Sequence, residues 1–296
     1  MSICRIRSLL AAVLAAASCT TTRFGANIDF HKIDDSYGYQ GILEEQFHDC
    51  SVPGPSKRRM YVYLPADYYE SGCRYPVLYL LHGARGNETS WIMKGRILQH
   101  ADSLMTAGKM EKTIIVFPNT NQHKSDKDYG KSRLKGAVEA LFEVAGDVES
   151  AFVSDVLQTV DSLYRTIPEK SGRAIGGLSI GALQSIHISA NHPDCFDYVG
   201  LFSPMIRPAF KHGEYSTFYR KLKFKQKLQF DDPPLLYWVM IGKKDFFYLR
   251  AKQYCRYLRR NGYPFEFLAT EGGHDWPNWT AYCDMFMKRL WKQSQY

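Results

Sequence analysis

Two short runs of this chain are apolar at every position, which is the pattern of strands that are buried on both faces of a sheet. One run is PVLYLL at residues 76–81, and the other is LLYWVMI at residues 235–241. Strands of this kind occur in parallel sheets covered by helices on both sides. Further predicted strands alternate with predicted helices, so we expect an α/β fold with a mostly parallel, doubly wound sheet and helices on both faces.

No stretch is rich enough in Pro, Gly or Ser to separate two folded units, so residues 46–296 are predicted to form one domain. The remaining elements of this domain are predicted from short apolar runs and from helical periodicity. The predicted strands are 58–64, 76–81, 113–117, 173–177, 198–202, 235–241 and 265–269, and the predicted helices are 91–107, 148–164, 182–190, 247–260 and 279–291.

Residues 1–18 are predicted to be an export signal rather than part of the fold. Arg5 and Arg7 precede the apolar run 9–17, which ends in small residues before Cys19. This order of basic, apolar and small residues is typical of a signal peptide. The run is too short for a membrane span, which needs roughly 20 apolar residues.

Cys19 is the predicted lipidation site, because the preceding residues LAAAS resemble the lipobox of bacterial lipoproteins. Residues 1–18 would then be removed, and residues 19–45 would form a tether. Cleavage nearby without lipidation and retention of the segment as an anchor remain alternatives. The predicted location is the periplasm or cell envelope of a bacterium, or otherwise the medium, with an N-terminal lipid anchor as the sole membrane contact.

Part of the formal net charge of +8 lies in the stretch 211–227, which interleaves basic and aromatic residues, among them Arg220, Lys221, Lys223 and Lys225. No nucleic-acid-binding motif accompanies these residues. We therefore interpret the stretch as a solvated loop face and predict no nucleic-acid partner.

Cysteine usage agrees with export but does not define a disulfide framework. The seven cysteines stand at positions 4, 19, 50, 73, 195, 255 and 283, and five remain after signal removal and lipidation. An odd number in an exported protein predicts at least one free thiol or an intermolecular partner. Their spacings do not resemble a zinc site, and we expect neither a metal nor a cofactor.

The pentapeptide Gly177–Gly181, GLSIG, has the GxSxG spacing of a nucleophile elbow. It follows a predicted strand and precedes a predicted helix, which is the context that the elbow requires. The serine then sits on a tight turn, and the helix N-terminus favours negative charge developing nearby. We interpret Ser179 as a nucleophile, the alternative being an ordinary glycine-rich turn.

A serine nucleophile needs a base within hydrogen-bond reach and an acid that orients the base. In a fold with this elbow the acid and then the histidine follow the serine along the chain. His274 is the predicted base, because of the nine histidines it alone follows the last predicted strand, in the loop EGGHDW. A surface histidine is the alternative.

Asp245 is the predicted acid, because it follows the strand 235–241 at its carboxyl end, where open α/β sheets build their sites. Asp231 and Asp232 precede the same strand and should lie at its far end. Asp275 adjoins the histidine and is awkwardly placed to reach its Nδ1 atom. These three carboxylates remain alternatives.

Two backbone amides are predicted to stabilise the oxyanion of the tetrahedral intermediate. They belong to Ile180, directly after the nucleophile, and to Ala84, in the loop HGARGN that follows the buried strand 76–81. A mere turn is the alternative for that loop. Trp91 and Trp276 flank the two loops and are the candidate substrate-binding residues, with packing in the core or at the rim as the alternative.

With these residues placed, the chain resembles the esterase D type of α/β hydrolase, and within it the feruloyl esterase modules of bacterial xylanases. The resemblance covers about residues 44–291 and rests on VYLPADY, RYPVLYLLHG, YRTIPEKSGRAIGGLSIGALQS and EGGHDWPNW. It implies the α/β-hydrolase fold, with Ser179, His274 and Asp245 as the catalytic triad and Ala84 with Ile180 as the oxyanion hole.

The resemblance implies a carboxylic ester hydrolase that removes feruloyl or acetyl esters from plant cell-wall polysaccharide. The expected partner is thus an ester-bearing carbohydrate or a small-molecule ester. A siderophore esterase of the enterobactin type and an acyltransferase share the fold and remain alternatives. An alternative of another class is a catalytically silent, carbohydrate-binding surface lipoprotein. The sequence does not indicate the oligomeric state.

Overall fold

The computed structural model describes residues 38–52, 55–121, 146–205 and 221–292. These residues build one eight-stranded sheet in the order β1-β2-β4-β3-β5-β6-β7-β8. β1 and β2 pair antiparallel, β2 runs antiparallel to β4, and the other neighbouring strands are parallel. The strands are Ile42–Asp49, Lys57–Leu64, Val77–Leu81, Ile114–Pro118, Arg173–Leu178, Tyr198–Phe202, Leu236–Gly242 and Glu266–Thr270.

Helices connect the strands and cover both faces of the sheet. They are α1 Ser90–Met93, α2 Ile97–Thr106, α3 Asp147–Ser150, α4 Gln158–Leu163, α5 Ile180–Asn191, α6 Leu222–Asp231, α7 Tyr248–Arg260 and α8 Trp276–Met287, with a π-helical segment Phe152–Leu157 between α3 and α4 and a 3₁₀ turn Lys170–Gly172 before β5. Within the four described ranges no helix is long and apolar enough to cross a membrane.

Side chains on the two faces of the sheet form two separate hydrophobic clusters. In β3, Val77, Tyr79 and Leu81 point into the cluster shared with α4, α5, α6 and α7, whereas Leu78 and Leu80 point into the cluster shared with α2 and α8. Adjacent residues of a strand face opposite sides, so a continuously apolar strand requires cover on both faces. The predicted α/β-hydrolase fold, a mostly parallel sheet between two helical layers, is confirmed.

The predicted tether 19–45 is wrong at its end, because β1 begins at Ile42 and pairs with β2 along its whole length. β1 is an edge strand with two glutamates, and its side chains are mostly half-buried, so its apolar alternation is weak. Residues 1–37, including Cys19, lie outside the described part of the chain.

The predicted loop face at residues 211–227 is wrong for its last part, where α6 begins at Leu222. α6 buries Gln226, Gln229 and Phe230 on one side, which is a helical spacing built largely from glutamine rather than apolar residues. The predicted helix 91–107 is divided into α1 and α2 at Arg96, whose φ of 49° is left-handed. The predicted helix 148–164 is divided into α3, the π-helical segment and α4.

The cysteines of the described ranges are all free thiols, at positions 50, 73, 195, 255 and 283. Cys283 is fully buried, and burial raises the pKa of its thiol well above the ordinary value. No group of His, Cys, Asp and Glu side chains in these ranges could hold a metal ion.

Candidate active site

Ser179 lies on a tight turn between β5 and α5, with φ of 57° and ψ of −111°. The positions two residues before and after it must be glycine. A Cβ atom on Gly177 would lie 2.6 Å from the backbone of Gly181. A Cβ atom on Gly181 would lie 2.5 Å from the carbonyl oxygen of His82. The strained turn is held by the backbone N–H of Ser179, which donates to the carbonyl of Phe202 at 2.9 Å. The predicted elbow geometry is therefore present.

The structure brings Ser179, His274 and Asp245 into one chain of hydrogen bonds. The Nε2 atom of His274 lies 3.0 Å from Oγ of Ser179, and its Nδ1 atom lies 2.8 Å from Oδ2 of Asp245. Asp245 follows β7 and His274 follows β8, which are adjacent parallel strands, so both residues emerge at the same edge of the sheet. The Asp245 side chain is 0% exposed.

Asp245 is fixed by a second hydrogen bond, in which the backbone N–H of Phe247 donates to Oδ1 at 2.8 Å. Two of the three alternative carboxylates, Asp275 and Asp232, are engaged elsewhere. Asp275 caps α8, since its Oδ1 atom accepts the backbone N–H of Asn278 at 3.2 Å. Asp232 pairs with Lys170 at the opposite edge of the sheet, where the Nζ–Oδ2 distance is 2.7 Å. Among the four carboxylates considered, the geometry of a triad is met by Asp245.

The loop that carries Ala84 is pressed against the elbow. A Cβ atom on Gly83 would lie 2.3 Å from Cδ1 of Leu178, and the contact of Gly181 with His82 joins the loop to the start of α5. Ile180 is the first residue of α5, so its N–H has no partner within the helix. The structure thus places the two predicted oxyanion amides, of Ala84 and Ile180, on segments in direct contact.

Buried polar groups fix the position of the loop at residues 82–88, which carries Ala84 and is called the oxyanion loop below. Glu88 is buried and accepts hydrogen bonds from Nε of Arg59 at 2.6 Å and from Nδ2 of Asn119 at 2.7 Å. Asn121 donates from Nδ2 to the carbonyl of Gly86 at 2.9 Å. Arg59, Asn119 and Asn121 are missed by sequence reasoning, because they come from β2 and from the segment after β4.

His82, at the start of the oxyanion loop, is fully buried and acts as an internal hydrogen-bond acceptor. Its Nε2 atom accepts the backbone N–H of Thr120 at 3.2 Å. Burial lowers the pKa of the imidazole, because the charged form would lose its hydration. A neutral His82 therefore links the ends of β3 and β4 without adding charge beside the site.

The expectation that Trp91 binds substrate is wrong, because this residue is 1% exposed and lies in the core. Its indole N–H donates to the carbonyl of Leu81 at 3.0 Å, so it fixes the end of β3. Trp276 is partly exposed, and its ring lies 5.4 Å from Trp91 and 5.4 Å from Trp279. Trp276 thus remains accessible in part.

Phe246 is an aromatic residue at the mouth of the site that sequence reasoning missed. It is 37% exposed, and its ring centroid lies 4.4 Å from that of His274. The signal available in the sequence was its position directly after Asp245, in the loop that supplies the acid. An exposed aromatic ring beside the base can contact the acyl group or the sugar of a substrate.

Comparison with known proteins agrees with this fold. The esterase family model matches residues 53–285. An endo-1,4-β-xylanase/feruloyl esterase of Xylanibacter ruminicola is 33% identical over 148 residues, which are 48% of this chain and 19% of that protein. An acetyl esterase of Caldicellulosiruptor saccharolyticus is 23% identical over 69% of this chain and 79% of its own length.

A solved structure of a ferulic acid esterase from the anaerobic fungus Anaeromyces mucronatus superposes with a TM-score of 0.69. It is 21% identical in sequence, and the alignment covers 90% of this chain and 96% of the fungal one. At this identity the likeness concerns the fold, which is the α/β-hydrolase fold of esterases.

The elbow and the sheet thus define an α/β-hydrolase-fold enzyme. Since the family model covers most of the described fold, the chain belongs to the esterase family.

Proposed function

We propose that this chain hydrolyses carboxylic esters through a Ser179–His274–Asp245 triad. The observation that carries the proposal is the unbroken hydrogen-bond chain from Oγ of Ser179 through the imidazole to the buried carboxylate. A serine hydroxyl is a weak nucleophile at neutral pH unless a base accepts its proton as it attacks. Nε2 of His274 lies within reach of that proton.

In the proposed mechanism, Oγ of Ser179 attacks the ester carbonyl while His274 takes the hydroxyl proton. Asp245 keeps the Nδ1 proton of His274 in place, so Nε2 faces the serine, and it stabilises the imidazolium that forms. The amides of Ala84 and Ile180 bind the oxyanion. His274 then protonates the leaving alcohol, and water, activated by the same histidine, releases the acid.

The proposed substrates are feruloyl esters of plant cell-wall arabinoxylan, with acetyl esters second. Support comes from the resemblance to feruloyl esterase modules and from the relative whose name joins a xylanase to a feruloyl esterase. The aromatic ring of Phe246 beside the base and the partly exposed Trp276 suit a hydroxycinnamoyl ring or a sugar. The acetyl esterase relative supports the second substrate class.

The substrate proposal is tested with methyl ferulate, a feruloylated arabino-oligosaccharide and short acetyl esters. We expect ferulate release from the first two compounds, with a higher kcat/KM for the sugar ester. Activity confined to acetyl esters would contradict the feruloyl proposal and identify a deacetylase. Transfer of the acyl group to an added alcohol in preference to water would identify an acyltransferase.

We also propose export with lipidation of Cys19, which is supported by the signal-like residues 1–18. Mass spectrometry of the protein purified from its host tests this. The expected N-terminus is a cysteine that carries acyl chains, whereas an unmodified N-terminus beyond Cys19 would contradict lipidation.

A further inference from the structure

The positive charge of this chain is concentrated in one region. Residues 221–263 contain eleven lysines and arginines against three acidic residues. That excess equals the formal net charge of +8 of the whole chain, so the remainder is neutral by the same count. An uneven distribution of this size gives one side of the protein a strong positive potential.

Nine of these cations lie at the start of α6 or within α6 and α7, and we call this surface the basic face. Seven of them are exposed and two are half-buried. α7 contains no acidic residue, and α6 contains only Asp231. The basic face consists of Lys221, Lys223, Lys225, Lys227, Arg250, Lys252, Arg256, Arg259 and Arg260.

Contacts between α6 and α7 hold the two helices next to each other. On the inner side, Gln226 donates a hydrogen bond to the hydroxyl of Tyr254, which in turn lies 2.6 Å from the hydroxyl of Tyr237 in β7. On the outer side, Nζ of Lys223 lies 5.9 Å from the ring centroid of Tyr257. The two helices therefore present their cations together.

The exposed cations of the basic face are not neutralised by acidic side chains in the described part of the chain. Among the residues that the structure describes, the seven exposed members of the basic face form no ion pair. Burial, and then the charge of Lys221, lower the pKa of Lys225, which shows that like charges already oppose one another here. An external anionic surface would relieve this repulsion.

Apolar side chains are exposed among the cations. Phe224 is 60% exposed and Leu228 is 47% exposed, one helical turn apart, and Lys223 and Lys227 flank them. Helices that lie at a lipid interface combine features of this kind, since apolar side chains enter the acyl boundary while lysines reach the phosphates. An acidic polysaccharide or a nucleic acid would use the cations but would leave Leu228 without an apolar partner.

We propose that the basic face docks on an anionic phospholipid bilayer, with Phe224 and Leu228 inserted at the interface. The contact is independent of the lipidation proposed at Cys19, and it would hold the domain against the membrane in one orientation. α7 begins directly after the loop that carries Asp245, so one end of the basic face lies at the catalytic edge of the sheet.

Vesicle sedimentation tests the proposal with protein that lacks residues 1–19, which keeps every described residue in place. Vesicles are made of phosphatidylcholine alone or with phosphatidylglycerol as a third of the lipid. We expect binding to the anionic vesicles only, and its loss at high salt. Lys223→Glu/Lys227→Glu should weaken binding by at least about 30-fold, because each basic residue near an anionic surface contributes about fivefold.

The matched control is Lys109→Glu/Lys292→Glu, which changes the net charge equally at two exposed lysines outside the basic face. Phe224→Ser/Leu228→Ser tests the apolar part and should also weaken binding. Methyl ferulate turnover by each variant shows that the fold is retained. Equal binding to both vesicle types, an equal loss in the control, or binding to polygalacturonate or DNA but not to vesicles would overturn the proposal.

Discussion

The catalytic edge of the sheet and the basic face use charged groups in opposite ways. At the catalytic edge, Asp245 is withdrawn from solvent and each of its carboxylate oxygens has a partner. On the basic face, the seven exposed cations form no ion pair with the described residues. The catalytic edge fixes the positions of a few atoms, whereas the basic face produces a positive electrostatic potential around it.

This difference indicates which amino-acid substitutions each region tolerates. A buried charge that loses its partner costs several kcal/mol, and an imidazole without its orienting acid takes the wrong tautomer. An exposed cation contributes little to folding, since water screens it. Substitutions at the catalytic edge should therefore alter chemistry, whereas substitutions on the basic face should alter association.

The largest effect is expected when the nucleophile or the base is removed. Ser179→Ala and His274→Ala should each lower kcat for methyl ferulate by about a millionfold, because members of such a unit fail together. The melting temperature of Ser179→Ala should stay close to that of the parent. That of His274→Ala should be lower, because this change removes the partner of Oδ2 of the buried Asp245. Steady-state kinetics and thermal melting check this, and a Ser179→Ala protein with substantial turnover would show that another residue attacks.

Replacing a carboxylate by an amide tests whether Asp245 or Asp275 is the acid of the triad. Asp245→Asn should lower kcat by about ten-thousandfold, because the amide cannot hold the required tautomer of His274. Asp275→Asn is the matched control, since asparagine caps a helix as well as aspartate does, and turnover should stay near the parent rate. The reverse ranking of the two variants would show that the acid was assigned to the wrong residue.

The third prediction concerns His187, at the boundary between α5 and the basic face. Burial, and then the charge of Lys225, lower the pKa of His187 from 6.5 to about 3. Above pH 6.5 the histidine is neutral in both the folded and the unfolded chain, and its effect on stability is constant. Below pH 6.5, His187 binds a proton in the unfolded chain but not in the folded chain. The free energy of unfolding therefore falls as pH falls toward 3.

For this single group the loss approaches about 1.4 kcal/mol per pH unit, a tenfold change in the unfolding equilibrium. Urea unfolding across that pH window, compared with His187→Gln, isolates the contribution of the histidine. The variant should show a shallower decline, because glutamine does not titrate. Parallel declines for both proteins would mean that the pKa of His187 is not lowered in the folded chain.

The smallest effect concerns the exposed aromatic ring at the catalytic edge. Phe246→Ala should raise KM for methyl ferulate by about tenfold, the value of one lost aromatic contact, and leave hydrolysis of acetyl esters nearly unchanged. Phe246→Tyr should restore the parent KM. If both substrates were affected alike, Phe246 would act on the position of His274 rather than on the aromatic acyl group.

The sequence was informative where the chemistry depends on local order. The elbow could be predicted because Gly177, Ser179 and Gly181 lie between a strand and a helix, and close backbone approach leaves no alternative to glycine. Asp245 and His274 could be predicted because parallel strands deliver the residues that follow them to the same edge. The parallel part of the sheet followed from strands that are apolar at every position.

The sequence was least informative where tertiary packing decides. Trp91 lies near the oxyanion loop along the chain, yet its indole is turned into the core to bond the carbonyl of Leu81. α6 buries Gln226 and Gln229, so its inner face carries no apolar stripe. The residues that brace the oxyanion loop, such as Glu88 and Asn119, come together only in the folded sheet.

The identity of the nucleophile is the central claim, and covalent labelling tests it most directly. The protein is treated with a fluorophosphonate, and the adduct is located by peptide mapping while hydrolysis of methyl ferulate is followed. We predict one adduct on Ser179, a loss of activity in proportion to labelling, and much slower labelling in His274→Ala. An adduct at another residue, or full hydrolysis by protein modified at Ser179, would contradict the account.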